Sequence, residues 1–131
     1  MNLLTSSSLP QQYNHLAPDG SEIRELAEVA GGGLSHCTLP VGKVSAAVYH
    51  ESVDEIWYFL SGSGQVWRKY ESQAIVEKVV AGSCINIPCG TSFQFKNSGN
   101  VPLRFVIATM PRWPGPNEAV PTQGHWLTPS M

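Results

Sequence analysis

The stretch that most constrains the fold lies near the middle of the chain, at residues 50–64. It opens with His50, turns, presents Glu55, and runs into a short apolar segment that ends in a Ser-Gly-Ser-Gly sequence. This apolar segment is bounded by turn signals and is too short for a typical helix, so it predicts a β-strand. Trp57 and Phe59 alternate with further apolar residues, so both faces are apolar. We therefore expect this strand to lie between two layers.

The rest of the chain repeats the pattern of short segments separated by turns. Strands are expected at residues 21–29, 34–39, 44–50, 55–60, 65–70, 74–80, 84–87, 93–96 and 103–110. The first of them is also compatible with a short helix, and the glycines at 30–33 predict a loop. Segment 44–50 is expected to pair with segment 34–39. Many short strands at such intervals indicate an all-β sandwich or barrel.

The 131 residues are enough for one domain with a single core. Residues 1–20 are polar, end in an Asp19-Gly20 turn, and predict an irregular arm before the domain at 21–110. Residues 111–131 are rich in proline, so no regular element is expected there. Because Trp113 and Trp126 lie in this tail, we expect it to pack on the domain or on a partner.

Composition narrows the class of protein. A hydrophobic content of 42% and a charged content of 14% are typical of a globular chain. The net charge of -2, without a run of Lys or Arg, argues against nucleic-acid binding. No segment has the ~20 apolar residues of a membrane helix. The N-terminus does not resemble a signal peptide either, so we expect a cytoplasmic protein without a membrane partner.

The three cysteines lack metal-ligand spacing and form an odd set, which argues against a disulfide framework. We expect Cys37 and Cys84 to be small buried hydrophobic residues.

Two sets of anchor residues carry a resemblance to a known family. The first motif of the cupins, G-x5-H-x-H-x(3,4)-E-x6-G, is matched in spacing by Gly42, His50, Glu55 and Gly62. The second, G-x5-P-x-G-x2-H-x3-N, is matched by Gly82, Pro88, Gly90 and Asn97. The chain therefore resembles a small single-domain cupin, and the resemblance implies a small jelly-roll β-barrel.

The resemblance also implies a metal site that this chain carries only in part. Metal-binding cupins use two histidines and a glutamate from the first motif and one histidine from the second. Val48 and Phe93 occupy two of these positions, which leaves His50 and Glu55. These two side chains suit zinc, iron, nickel or manganese, but a catalytic site typically has three protein ligands. We therefore expect a divalent metal, where one binds, to be held weakly.

A third metal ligand would have to come from outside the motif positions. The candidates are His36, Gln94, Cys89 and His125. Regular strand pairing around residues 40–42 would place His36 opposite Ala47, pointing away from His50.

His50 and Glu55 therefore support three interpretations. They are the remnant of a metal site, or a metal-free acid–base pair in which the carboxylate orients the imidazole and raises its pKa. Such a pair suits isomerisation or epimerisation, and deoxysugar epimerases of the cupin superfamily work without a metal. In the third interpretation, the pair is buried and hydrogen-bonded without a catalytic role.

An apolar pocket with one polar corner is the remaining functional prediction. Its expected lining is Val48, Trp57, Phe59, Trp67, Phe93 and Phe95. Such a pocket is typical of a small-molecule site, although aromatic side chains also fill small barrels. We predict a protein that binds a small, partly apolar metabolite. It is either an enzyme using His50 and Glu55 or a binder without catalysis.

The outer face of the central strand predicts a homodimer. Ile56, Tyr58 and Leu60 would form a contiguous exposed apolar patch if nothing covered them. Cupins often dimerise through sheet faces, so the resemblance favours a second copy as the cover. The Pro-rich tail is the rival cover.

Overall fold

The computed structural model describes residues 3–127, and the regular structure of this part is entirely β. In chain order the strands are β1 His15–Leu16, β2 Glu22–Val29, β3 Gly32–Leu39, β4 Val48–His50, β5 Asp54–Ser61, β6 Ser63–Tyr70, β7 Gln73–Val80, β8 Cys84–Ile87, β9 Ser92–Asn97, β10 Leu103–Met110 and β11 Ala119–Pro121. No helix within residues 3–127 is long and apolar enough to cross a bilayer.

The strands form two antiparallel sheets. One has the order β1-β2-β3-β10-β5-β8, and the other has the order β11-β4-β9-β6-β7. Many spatial neighbours are distant in sequence, since the chain passes repeatedly from one sheet to the other. This is a jelly-roll arrangement, and it confirms the all-β fold expected from the sequence.

Aromatic rings fill the space between the sheets. Trp57 and Phe59 from β5 and Phe105 from β10 meet Phe93 and Phe95 from β9, and all five are almost fully buried. Trp57 stacks on Phe105 with ring centroids 4.6 Å apart, and its edge contacts bring it within 5.3 Å of Phe93 and 5.2 Å of Phe95. Offset and edge-to-face contacts of this kind add stability beyond the area they bury.

The expected strand at 44–50 is shorter in the structure and has different partners. Only Val48–His50 is a strand, and it pairs with β9 and β11 rather than with β3. Both edges of β3 are already occupied, by β2 and β10. The expected pairing of His36 with Ala47 is therefore wrong, because His36 lies opposite Arg24 and Val106.

The expected loop at 30–33 is also shorter, because Gly32 and Gly33 begin β3. A Cβ on Gly32 would lie 2.7 Å from the carbonyl oxygen of Thr109, so glycine permits the close approach of these two backbones. Glycine here serves packing between strands rather than a turn.

Two short strands form where the sequence predicts irregular chain. His15–Leu16 of the arm pairs with β2, and Ala119–Pro121 of the tail pairs with β4. Their edge positions explain why a segment containing Pro121 can still pair, since proline cannot donate to an interior ladder.

The central strand β5 is buried on one face only. Glu55, Trp57 and Phe59 are buried, whereas Ile56, Tyr58 and Leu60 are 46%, 48% and 44% exposed. The prediction that both faces are covered is therefore wrong within this chain.

The three cysteines are free. Cys37 is buried as expected, but Cys84 is exposed because it lies on the outer face, opposite Tyr58.

Candidate functional site

His50 and Glu55 converge between the two sheets. His50 ends β4, Glu55 follows the start of β5, and their side chains are each only 6% exposed. Nδ1 of His50 lies 4.0 Å from Oε1 of Glu55, which is beyond hydrogen-bonding distance. Within residues 3–127, this buried Nδ1 has no hydrogen-bond partner. The structure thus brings the two predicted residues together but leaves a nitrogen free for a third group.

Both carboxyl oxygens of Glu55 are held by side chains of the six-stranded sheet. Oε1 accepts a hydrogen bond from Nε1 of Trp57 at 2.9 Å, and Oε2 accepts one from Oγ1 of Thr109 at 3.0 Å. Thr109 is next to Glu55 across the β10–β5 ladder, which explains the contact. These bonds fix the orientation of the carboxyl group.

The turn between His50 and Glu55 is held by Glu118 from the tail. Oε2 of Glu118 accepts hydrogen bonds from the backbone N–H groups of Ser52 at 2.7 Å and Val53 at 2.9 Å, and Oε1 accepts one from Oγ of Ser52 at 2.7 Å. Burial alone would raise the pKa of Glu118, but these bonds outweigh it and hold that pKa below its ordinary value. Glu118 is therefore an ionised anchor that connects the tail to the site.

Burial controls the charge of the pair. It raises the pKa of Glu55 to about 7, although the hydrogen bonds from Trp57 and Thr109 oppose the change. It lowers the pKa of His50 to about 4, against the opposing attraction of Glu118. The expectation that the carboxylate raises the pKa of His50 is therefore wrong, because desolvation dominates. Near neutral pH the imidazole of His50 is therefore neutral, and the carboxyl group of Glu55 is present in both its protonated and its ionised form.

A cavity of about 810 Å³ opens beside this pair. Four residues expected to line it do so, namely Val48, Trp57, Phe93 and Phe95. Phe105 and Ile107 complete the apolar wall. Val48 and Phe93 lie directly opposite each other on β4 and β9, and both line the cavity.

Phe59 and Trp67 lie outside the lining of this cavity. Phe59 is fully buried deeper in the core, with its ring centroid 4.6 Å from that of Phe105. Trp67 is on the opposite face of β6, because strand alternation turns Val66 toward the core instead. Its ring stacks with that of His125 from the tail, with centroids 6.0 Å apart. The inward position expected for Trp67 is therefore wrong.

Asp19 and Trp113 are among the cavity residues that the sequence did not indicate. Asp19 was expected only in a turn, yet it lies in the cavity wall, and Trp113 from the tail lies over His50 with ring centroids 5.0 Å apart. The presence of Trp113 in a proline-rich tail predicted that the tail packs on something. It did not predict that the ring lies against His50. Nothing local marks Asp19, which reaches the site through a backbone contact to Ala46 before β4.

The cupin domain family matches residues 35–109 of this sequence. The chain belongs to the cupin family. An uncharacterised protein of Methanocaldococcus jannaschii is 30% identical over 118 residues, which cover 83% of this chain and 91% of that relative.

Solved structures share the cupin fold at low identity. The capsular polysaccharide assembling protein CapF of Staphylococcus aureus matches with a TM-score of 0.69 at 17% identity, over 81% of this cupin and 31% of the CapF chain. A predicted oxalate decarboxylase of Thermotoga maritima matches with a TM-score of 0.59 at 23% identity, over 70% of this cupin and 80% of that chain. This cupin thus spans less than a third of CapF, and both likenesses show the fold alone.

The residues of this cupin do not fit a resident metal. Val48 and Phe93 place two apolar side chains where ligands are needed, and both oxygens of Glu55 already accept hydrogen bonds. Among residues 3–127 no three His, Cys, Asp or Glu side chains are grouped to hold a metal ion. Two protein ligands give too little affinity for a site that is retained through purification.

The four candidate third ligands lie elsewhere or are engaged in other contacts. His36 is on the outer face of β3, because its neighbour Cys37 points into the core. The Gln94 side chain bonds to the backbone of Ser45, His125 and Trp126, so it anchors the tail. His125 stacks on Trp67. Cys89 donates through Sγ to the carbonyl oxygen of Glu51 at 3.0 Å.

Proposed function

We propose that this cupin binds a small, partly apolar metabolite in the cavity between its sheets, and that His50 and Glu55 transfer a proton on it without a resident metal. The carrying observation is the buried Nδ1 of His50, which has no hydrogen-bond partner within residues 3–127 and lies in the wall of a cavity that aromatic and acidic side chains also line. A buried polar atom without a partner is destabilising, and a ligand that supplies the missing partner recovers that free energy.

The protonation states support proton transfer. A neutral imidazole is a base, and a carboxyl group whose pKa is about 7 can donate or accept a proton near neutral pH. Positioned acid–base groups of this kind typically accelerate a reaction by about 10²–10⁴-fold. Isomerisation or epimerisation at a carbon next to a carbonyl group is a reaction class in which such a pair can move the proton.

Binding without catalysis is the second candidate. The observation in its favour is that Trp57 and Thr109 already engage both oxygens of Glu55. A carboxyl group fixed in this way can orient a ligand without transferring a proton.

A metabolite screen by thermal shift on chelator-treated protein tests binding. A ligand at 100 times its Kd stabilises the folded state by about 2.7 kcal/mol, which is readily measured. Hits are then incubated with the protein in D2O, and NMR follows incorporation of deuterium at carbon. We expect exchange in the parent, its loss in His50→Gln and Glu55→Gln, and parent behaviour in the control Glu51→Gln, an exposed carboxyl in the adjoining turn.

The outcomes separate the two candidates. Stabilisation without exchange would reject the catalytic role and leave the binder. The absence of any stabilising metabolite, or stabilisation that survives His50→Gln and Glu55→Gln unchanged, would contradict the cavity as the binding site.

A further inference from the structure

We propose that the polar end of the metabolite is a cation, an ammonium group held between Glu55 and Asp19 against the aromatic wall of the cavity. This inference rests on the proposed function and specifies the chemical class of the ligand.

Acidic side chains outnumber basic ones in the lining of the cavity, as far as residues 3–127 show. Its lining includes four carboxyl side chains, from Asp19, Glu25, Glu28 and Glu55, and a single guanidinium, from Arg112. Nη1 of Arg112 lies 3.3 Å from Oε1 of Glu28, and both side chains are more than half exposed, so this pair lies at the mouth. The carboxyl groups of Asp19 and Glu55 are left without a cationic partner among residues 3–127.

Asp19 is positioned to bind and is only partly satisfied. Its Oδ1 accepts hydrogen bonds from the backbone N–H of Ser21 at 3.0 Å and from Oγ of Ser21 at 2.6 Å. Its backbone oxygen accepts a bond from the N–H of Ala46 at 2.8 Å, which fixes the residue against the segment before β4. Oδ2 has no bond within the described part of the chain and is free for a ligand. Burial raises the pKa of Asp19, the response of a carboxyl group without a counter-ion.

The unpartnered imidazole nitrogen is an independent sign of the same ligand. His50 is 5% exposed and lines the cavity, and its Nδ1 is an acceptor when the proton is on Nε2. An ammonium group supplies three donors and no acceptor. It can therefore donate to Nδ1 of His50, and its positive charge complements the carboxyl groups of Glu55 and Asp19, which line the same cavity.

The aromatic wall favours a cation as well. Trp57, Phe93, Phe95 and Phe105 line the cavity, and the faces of such rings attract an ammonium group within about 6 Å. A carboxylate or phosphate ligand would instead meet the acidic side chains of the lining, which repel it. The same rings accommodate an apolar body attached to the ammonium group.

Binding of a cation should release a proton. Glu55 faces His50, Asp19 and Glu118, and an added ammonium group favours its ionised form. The affinity for an amine should therefore rise as the pH increases from 6 to 8, since less protonated Glu55 must lose its proton. The affinity for a neutral ligand should not rise over this range.

Three probes of one shape test the charge preference: benzylamine, benzyl alcohol and benzoate. Titration calorimetry on the full chain at pH 6, 7 and 8 gives their affinities, and repeating it in buffers of different ionisation enthalpy counts the released protons. We expect benzylamine to bind at least tenfold more tightly than benzyl alcohol at pH 8, with proton release, and benzoate to bind less tightly than the alcohol. Glu55→Gln and Asp19→Asn should each reduce the preference for the amine, while Glu51→Gln should retain it.

Each contrary result is informative. If benzyl alcohol or benzoate binds as tightly as benzylamine or more tightly, the proposal of a cationic ligand is wrong. The proposed function of the cavity would not be affected by that result. An amine preference unchanged in both Glu55→Gln and Asp19→Asn would place the amine elsewhere. If none of the probes binds, the cation class is rejected, and the metabolite screen still decides separately whether the cavity binds a ligand.

Discussion

At the scale of single residues, burial rather than pairing decides the chemistry of His50 and Glu55. The two side chains are 4.0 Å apart and buried, yet the interior favours the neutral form of each. An ion pair in this position would need further hydrogen bonds to offset desolvation, and Nδ1 of His50 has none within the described residues. The two side chains therefore do not form a structural salt bridge, and they remain able to bind a ligand or exchange a proton.

The two groups should affect stability with opposite dependence on pH. Glu55 holds a proton in the folded state up to about pH 7, whereas its ordinary pKa is 4.5. Its contribution to stability therefore falls as the pH rises from 4.5 to about 7. His50 resists protonation down to about pH 4, so its contribution falls as the pH drops from 6.5 to about 4. Between pH 4.5 and 6.5 the two contributions largely cancel.

Single variants should separate the two contributions, which urea unfolding measures as the dependence of the free energy of unfolding on pH. Glu55→Gln should gain stability as the pH rises from 4.5 to 6.5, and His50→Gln should lose it, each by about 1.4 kcal/mol per pH unit at most. The slope of unfolding free energy against pH in the parent should lie between the slopes of these two variants, since the parent contains both groups. The difference in stability between the parent and Glu51→Gln should change little over this range. Identical slopes in the two variants would show that burial does not control these groups.

The motif spacing identified His50, Glu55, Val48 and Phe93 from sequence because the cupin anchors are local in the chain. Asp19 could not be found in this way, since it reaches the cavity from the arm before β2. The face of Trp67 was also ambiguous, because Val66 and Trp67 are adjacent and both apolar.

At the scale of elements, the tail is a structural part of the site. It follows β10, places Trp113 over His50, holds the His50–Glu55 turn through Glu118, and adds β11 to the edge of β4. Strand positions followed from turn residues and alternation, and the predicted bounds of β8 and β10 are those observed. The pairing of β4 with β9 and β11 could not be predicted from the sequence, because strands that are neighbours in sequence can lie in different sheets of a jelly roll.

Removal of the Glu118 carboxylate should loosen the turn. Glu118→Ala leaves the backbone N–H of buried Val53 without its acceptor, so we expect a loss of about 2 kcal/mol in the free energy of unfolding. Glu51→Ala, which removes an exposed carboxyl from the same turn, should change stability by less than about 0.5 kcal/mol. Chemical denaturation compares them, and equal effects would show that Glu118 does not anchor the turn.

At the scale of the whole molecule, one apolar sheet face is left open. Ile56, Tyr58 and Leu60 of β5 lie on it together with Leu34 and Met110, and all are exposed. Within the described residues 111–127 the tail packs elsewhere, because Trp113 lies over His50 and the ring of Trp126 lies 4.8 Å from Nζ of Lys96 on the other sheet. Contiguous exposed apolar patches are typical of protein interfaces, and a twofold axis would place this patch on both subunits.

We therefore propose a homodimer through this face. Sedimentation equilibrium at micromolar concentration should give twice the chain mass, and Tyr58→Lys should shift the equilibrium to the monomer. Tyr70→Lys is the matched control, because Tyr70 is equally exposed but lies at the end of β6 in the other sheet. A monomer mass for the parent, or a dimer indifferent to Tyr58→Lys, would reject this interface.

The titration of the Glu55 carboxyl group is the most direct test of a metal-free acid–base site in a buried cavity. Carbon-13 NMR of the glutamate carboxyl groups, with the Glu55 signal assigned by its loss in Glu55→Gln, gives the titration midpoint in chelator-treated protein. We expect a midpoint near pH 7 that an equimolar amount of Zn²⁺ leaves in place. A midpoint below pH 5, or one that zinc lowers strongly, would show an ionised metal-binding carboxylate and contradict the proposed site.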